Sequence, residues 1–183
     1  SIWLGKRWGI VDGPGERRRH KGSVPRIGGF GLYPAFVLAA LAALAWGVPR
    51  SDPLEVTRLT GVLLGMGVVW ITGLLDDRYN LPPLAQLVGF VAAAAIAIGF
   101  KVFIEVFNSP FSDEQIKVDW YLMIPISLAW ILGMINTVNL VDGLDGLAAG
   151  ITAIASLTLF IHMLRLGQYS VSLLPLALLG CCL

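Results

Sequence analysis

"GVLLGMGVVWITGLLDDRYNLPP", residues 61–83, is the stretch on which the fold turns. Its apolar part carries no charge and runs straight into Asp76 and Asp77, followed by Arg78 and then by Pro82 and Pro83. A helix needs about 17 to 25 apolar residues to cross a ~30 Å hydrocarbon layer. Residues 59–75 supply such a length before the carboxylates end it at the membrane edge. The two prolines suit the first positions of a following helix.

Working outward, five more stretches lack Asp, Glu, Lys and Arg: 27–49, 79–100, 120–141, 146–164 and 166–183. The 183-residue chain is 56 % hydrophobic and only 14 % charged, whereas soluble domains carry about a quarter charged residues. Its mean hydropathy is +0.77. These features predict an all-α polytopic membrane protein, one transmembrane domain over residues 1–183 with six transmembrane helices. The chain opens at Ser1, and its last apolar run stops at Leu183 with no polar flank, so an excerpt truncated at both ends is expected. Residues 1–26 carry seven Lys or Arg and no long apolar core, which is not the pattern of a signal peptide.

The connectors differ in character. Residues 11–29, "VDGPGERRRHKGSVPRIGG", read as a basic loop punctuated by Gly and Pro. Residues 101–120, "KVFIEVFNSPFSDEQIKVDW", alternate β-branched or aromatic with polar residues around "NSPFSD", which predicts a small β-hairpin on the extracytoplasmic side. Alternation of sides puts Lys6, Arg7, Arg17, Arg18, Arg19, Lys21, Arg26 and Arg78 on one face, against Arg50, Arg58, Lys101, Lys117 and Arg165 on the other. The richer face is cytoplasmic by the positive-inside rule, so a multi-pass protein of the plasma (inner) membrane is expected, with its chemistry facing the cytoplasm. Trp3, Trp8, Trp46 and Trp120 read as interfacial anchors, Trp70 and Trp130 as core, and Cys181 and Cys182 as small apolar fillers.

A second stretch, "NTVNLVDGLDG" at 136–146, carries the chemistry. A desolvated amide or carboxylate costs kilocalories in a membrane, so these groups imply a bound ligand. Asn136, Asn139, Asp142 and Asp145 recur every third residue, a spacing that drifts by about 60° per step on a 3.6-residue helix. Gly143, Gly146 and Gly150 permit a tight helix-to-helix turn in which the groups converge. Capping and turn formation would explain one aspartate and leave both asparagines unexplained. Asp76 and Asp77 form an adjacent pair, and two unit charges about 4 Å apart interact by ~4 kcal/mol at an effective dielectric of 20; a compensating cation is called for. Taken alone, that pair is equally well explained as a plain helix end solvated by Arg78 and water. Four carboxylates on one face repel an anionic substrate unless a divalent cation bridges them, and oxygen ligands favour Mg²⁺, with Mn²⁺ as the alternative, over zinc. Lys21 and Arg26 supply positive charge for a diphosphate. No nucleic-acid partner is expected, and a homodimer is left open.

Together "RRRHKGSVPRIGG", "GLLDDRYNLPP" and "NTVNLVDGLDGLAAG" resemble, in order and spacing, the polyprenyl-phosphate N-acetylhexosamine-1-phosphate transferases of the glycosyltransferase family 4 type. "HKGSVPRIGG" is closer to the UDP-GlcNAc:undecaprenyl-phosphate branch than to the phospho-MurNAc-pentapeptide translocases. The resemblance implies an excerpt of a fold of about ten spans, each taking about 17 to 25 residues. It implies an Mg²⁺-dependent phosphoglycosyltransferase in which a polyprenyl phosphate attacks the β-phosphate of a UDP-sugar and UMP leaves, a first membrane step toward a cell-envelope polysaccharide such as lipopolysaccharide or teichoic acid. By the same resemblance, Asp76, Asp77 and Asp142 are catalytic, with Asp77 and Asp142 as metal ligands and a further ligand expected beyond Leu183. Lys21, Arg26, Asn136, Asn139 and Asp145 are implied to bind substrate. Two other classes compete: an intramembrane Mg²⁺-dependent prenyltransferase acting on a prenyl diphosphate, and a non-enzymatic cation transporter.

Overall fold

The computed structural model describes residues 11–12, 24–25, 29, 31–50, 52–108, 115–142 and 146–183. Among the described residues six helices follow one another: α1 Leu32–Ala45, α2 Glu55–Tyr79, α3 Pro83–Gly99, α4 Trp120–Val141, α5 Leu147–Arg165 and α6 Tyr169–Cys182. Two short antiparallel pairs accompany them. Strands β1 Val11–Asp12 and β2 Val24–Pro25 pair Val11 with Pro25 and Asp12 with Val24. Strands β3 Val106–Asn108 and β4 Gln115–Lys117 pair Phe107 with Ile116 between α3 and α4. The first pair departs from the expectation of a plain loop over 11–29, because two residues on each side are too few to leave an alternating pattern.

Each apolar run contains a helix, but three of the six helices, α2, α4 and α5, are long and apolar enough to cross a membrane. The others are shorter because part of each run makes ends and turns. Residues 80–82 of the run 79–100 hold the turn before α3, with Asn80 in the left-handed conformation at φ 48°, a geometry tolerated best by Gly and Asn. At 1.5 Å per residue, the 14 residues of α1 and of α6 span about 21 Å.

Packing begins between α2 and α3, an antiparallel pair joined by a close turn. Small residues let the backbones approach: a Cβ on Gly65 would lie 3.0 Å from the Ala93 carbonyl oxygen, and one on Gly61 or Gly89 would run into Phe100 or Thr72. Ala93, Ala94, Ala97 and Phe90 are the buried side of α3. The α5–α6 pair packs closely too, and contacts then run from α6 to α1 and from α3 to α4. Tyr33 of α1 donates its hydroxyl to the Leu63 carbonyl of α2 at 3.0 Å and stacks on Trp70 at 5.3 Å between ring centroids. Among the described residues the buried polar side chains are Thr72, Ser127, Ser156 and Ser172. Ser127 of α4 accepts the Ile104 N–H at 2.8 Å.

Much of the outer surface is apolar, with Leu38 68 % and Ile154 70 % exposed. Water would penalise contiguous faces of this kind, and lipid would not. Trp130 corrects one expectation: it is 63 % exposed on α4 rather than core, since α4 meets few neighbours along its length.

The start of α2 is pinned by charge. Arg58 donates Nη1 to Asp52 at 2.8 Å, Nη2 to Glu105 at 3.1 Å and Nε to the Lys101 carbonyl at 3.1 Å. Glu55 accepts the Ser170 hydroxyl at 2.8 Å and faces Arg50 at 3.6 Å. The start of α2, the end of α3 and the start of α6 therefore share one end of the bundle. Ser127, at the start of the third turn of α4, contacts Ile104 near the same end. It follows that α2 and α4 both terminate at the other end.

Candidate functional site

That other end holds the paired aspartates. Asp76 and Asp77 lie in the last turn of α2, both half-buried. The Asp76 backbone carbonyl accepts the Asn80 N–H at 2.8 Å and closes the helix. Its carboxylate then turns toward the connection: Oδ1 accepts the Leu81 N–H at 2.9 Å and the Gln86 Nε2–H at 2.9 Å. Arg78 places its guanidinium 5.5 Å from the centroid of the Tyr79 ring, a cation–π approach. Pro82 is extended and Pro83 opens α3, the position where its missing N–H costs nothing.

The second polar segment begins within α4. Asn136 is exposed, and its Nδ2 donates to the Leu132 carbonyl at 2.9 Å, one turn back. Thr137 bonds the Gly133 carbonyl at 2.7 Å in the same way. Each side chain thus makes one hydrogen bond back to its own helix. Asn139 is exposed, and Asp142, also exposed, caps α4 with its N–H on the Val138 carbonyl at 3.1 Å. The turn into α5 uses the glycine anticipated for it: Gly146 sits at φ +76°, and its carbonyl accepts the Gly150 N–H at 2.8 Å.

Asp76, Asp77 and Asp142 are therefore brought to one end of the bundle from two helix termini. Lys21, Arg26 and Asp145 lie outside the described residues. Among the described residues no three His, Cys, Asp or Glu side chains cluster closely enough to hold a metal. The donors available there are carboxylate and amide oxygens, the set that hard cations such as Mg²⁺ take. Asp76 Oδ1 already serves two N–H donors. Two contacts escaped the sequence reading: Gln86 on Asp76, and the Trp70 Nε1–H on the Gly29 carbonyl at 3.2 Å. The latter fastens the end of the basic segment to α2.

Residues 59–183 match the model of glycosyl transferase family 4. The chain belongs to that family. It is 30 % identical over 172 residues to the probable undecaprenyl-phosphate N-acetylglucosaminyl 1-phosphate transferase of Bacillus subtilis strain 168, covering 94 % of this chain and 46 % of the relative. Identity is 32 % over 194 residues to the decaprenyl-phosphate N-acetylglucosaminephosphotransferase of Mycobacterium tuberculosis strain H37Rv, with 98 % and 47 % covered. Against the undecaprenyl-phosphate alpha-N-acetylglucosaminyl 1-phosphate transferase of Escherichia coli strain K12 it is 26 % over 182 residues, with 97 % and 46 % covered. The chain thus spans about half the length of these relatives. No solved structure matches it.

Proposed function

We propose that the protein transfers N-acetylglucosamine-1-phosphate from UDP-GlcNAc to a polyprenyl phosphate in the plasma membrane, with the site on the cytoplasmic side. One observation carries the reading: two acidic helix ends, Asp76–Asp77 and Asp142, lie at the same end of an apolar bundle in a family 4 chain. In this proposal all six helices lie in the bilayer and the β3–β4 pair stands outside the cell.

The reaction makes one P–O bond and breaks another. An oxygen of the lipid phosphate attacks the β-phosphorus of UDP-GlcNAc, the bond to the bridging oxygen breaks, and UMP leaves with that oxygen. A lipid phosphate is already largely ionised near neutral pH, so the attack needs no strong base. It needs two anions held together, which is a task of positioning and charge compensation. Lys21 and Arg26 meet the diphosphate in this scheme. Asn139 and Asp145 bind on the uridine side, with Asn136 in support. Asp77 and Asp142 would hold Mg²⁺, together with a ligand outside the described residues. Bound there, the ion supplies Lewis-acid compensation for the negative charge of the diphosphate.

The test is transfer of radiolabelled GlcNAc-1-phosphate by the full-length protein in vesicles, together with exchange of labelled UMP into UDP-GlcNAc. The expected result is Mg²⁺-dependent transfer that requires the polyprenyl phosphate. Absence of both activities, with prenyl transfer or ion flux in their place, would refute the proposal.

A further inference from the structure

The turn between α2 and α3 contains a polar side chain that the chemistry above leaves unused. Gln86 stands in the first turn of α3 and is half-buried. Its Nε2 donates to Asp76 Oδ1 at 2.9 Å and lies 3.3 Å from the Leu81 carbonyl. Leu81 in turn gives its N–H to the same Asp76 oxygen at 2.9 Å. One amide therefore clamps both the start and the finish of the segment from 76 to 81. Asp76 is held twice over, because its backbone carbonyl also takes the Asn80 N–H at 2.8 Å.

We propose that Gln86 is a positioning residue, acting through Asp76 to fix the direction in which Asp77 is presented. The inference rests on the reading of Asp77 as a ligand to the bound cation. A helix end is the part of a helix that frays most readily. Asp77 is its third-last residue, and one residue of rotation, about 100°, separates its side chain from that of Asp76. Fixing Asp76 to α3 removes that freedom, since α3 is seated on α2 by the close contacts of Gly65 and Gly89. The donor is neutral, so it orients Asp76 without adding a cation to the pair. Hydrogen bonds that orient a metal ligand cost about 10- to 100-fold in metal affinity or activity when lost, and the lower end of that range is the expectation for a bond acting through the adjoining residue.

The experiment compares Gln86→Leu, Gln86→Glu and Gln86→Lys in the full-length protein, by kcat, by KM for UDP-GlcNAc, by calorimetric titration with Mg²⁺ and by melting followed by circular dichroism. Leucine and glutamate remove the donor while keeping the size; lysine restores a donor. The expected result is a fall of about tenfold or more in kcat and in Mg²⁺ affinity for the first two. KM should stay within about twofold, the variants should still melt cooperatively with only a modest fall in melting temperature from the lost hydrogen bonds, and Gln86→Lys should recover a third or more of the rate. Wild-type kcat and Mg²⁺ affinity in Gln86→Leu, or losses that follow the melting temperature alone, would overturn the inference. If wild-type protein performs no transfer yet Gln86→Leu still weakens Mg²⁺, the proposed function fails and the positioning role stands.

Discussion

Replacing Gly65 by alanine should destabilise the α2–α3 pair, and the size of the effect can be worked from the geometry. The added Cβ would stand 3.0 Å from the Ala93 carbonyl oxygen and 3.9 Å from the Ala97 Cβ. The near atom belongs to the backbone, so no rotamer change relieves it and α3 must retreat by a few tenths of an ångström. Overpacking of this kind costs about 1–3 kcal/mol. Alanine also raises helix propensity by about 1 kcal/mol over glycine, and that gain has to be removed from the comparison. Gly73 provides the control: it lies in the same helix, and a Cβ there meets nothing within 4 Å. The difference between Gly65→Ala and Gly73→Ala isolates the clash and should be about 1–3 kcal/mol. Unfolding in mixed detergent micelles, followed by circular dichroism, measures it. Equal stability of the two variants would refute the claim that small residues set the α2–α3 approach.

Three further outcomes are expected. Arg58→Met should lower stability by about 1 kcal/mol or less, since its partners are largely solvated; its transfer activity should stay intact, because the network lies at the end of the bundle away from Asp76. Asn136→Ala should leave stability within about 0.5 kcal/mol and raise KM for UDP-GlcNAc; an unchanged KM would remove Asn136 from the substrate site. Trp70→Phe keeps a ring against Tyr33 but loses the bond to the Gly29 carbonyl, so unfolding should shift by about 1 kcal/mol, and no shift would show that the bond contributes nothing.

How much of this was legible in the residues depends on whether the governing contact is local. Three helix ends were, because charge, proline and glycine punctuate the apolar runs near Asp76, at Pro83 and at Gly146. The β3–β4 pairing was too, because alternation on both sides of "NSPFSD" is a local pattern. The lengths of α1 and α6 were not, since an uncharged run does not reveal how many of its residues make ends and turns. Gln86 was invisible for a different reason: a glutamine near a helix start is ordinary, and only the left-handed Asn80 brings it back onto Asp76. Trp130 was misread because an indole in an apolar run looks the same whether it faces a neighbouring helix or the outside.

The central claim is that carboxylates from the ends of α2 and α4 serve one divalent cation. Titration of the full-length protein with Mn²⁺, read by the electron paramagnetic resonance of the free ion, tests it directly. One site displaced by Mg²⁺ is predicted, weakened by about tenfold or more in Asp77→Asn and equally in Asp142→Asn. Wild-type Mn²⁺ affinity in either variant would contradict the account.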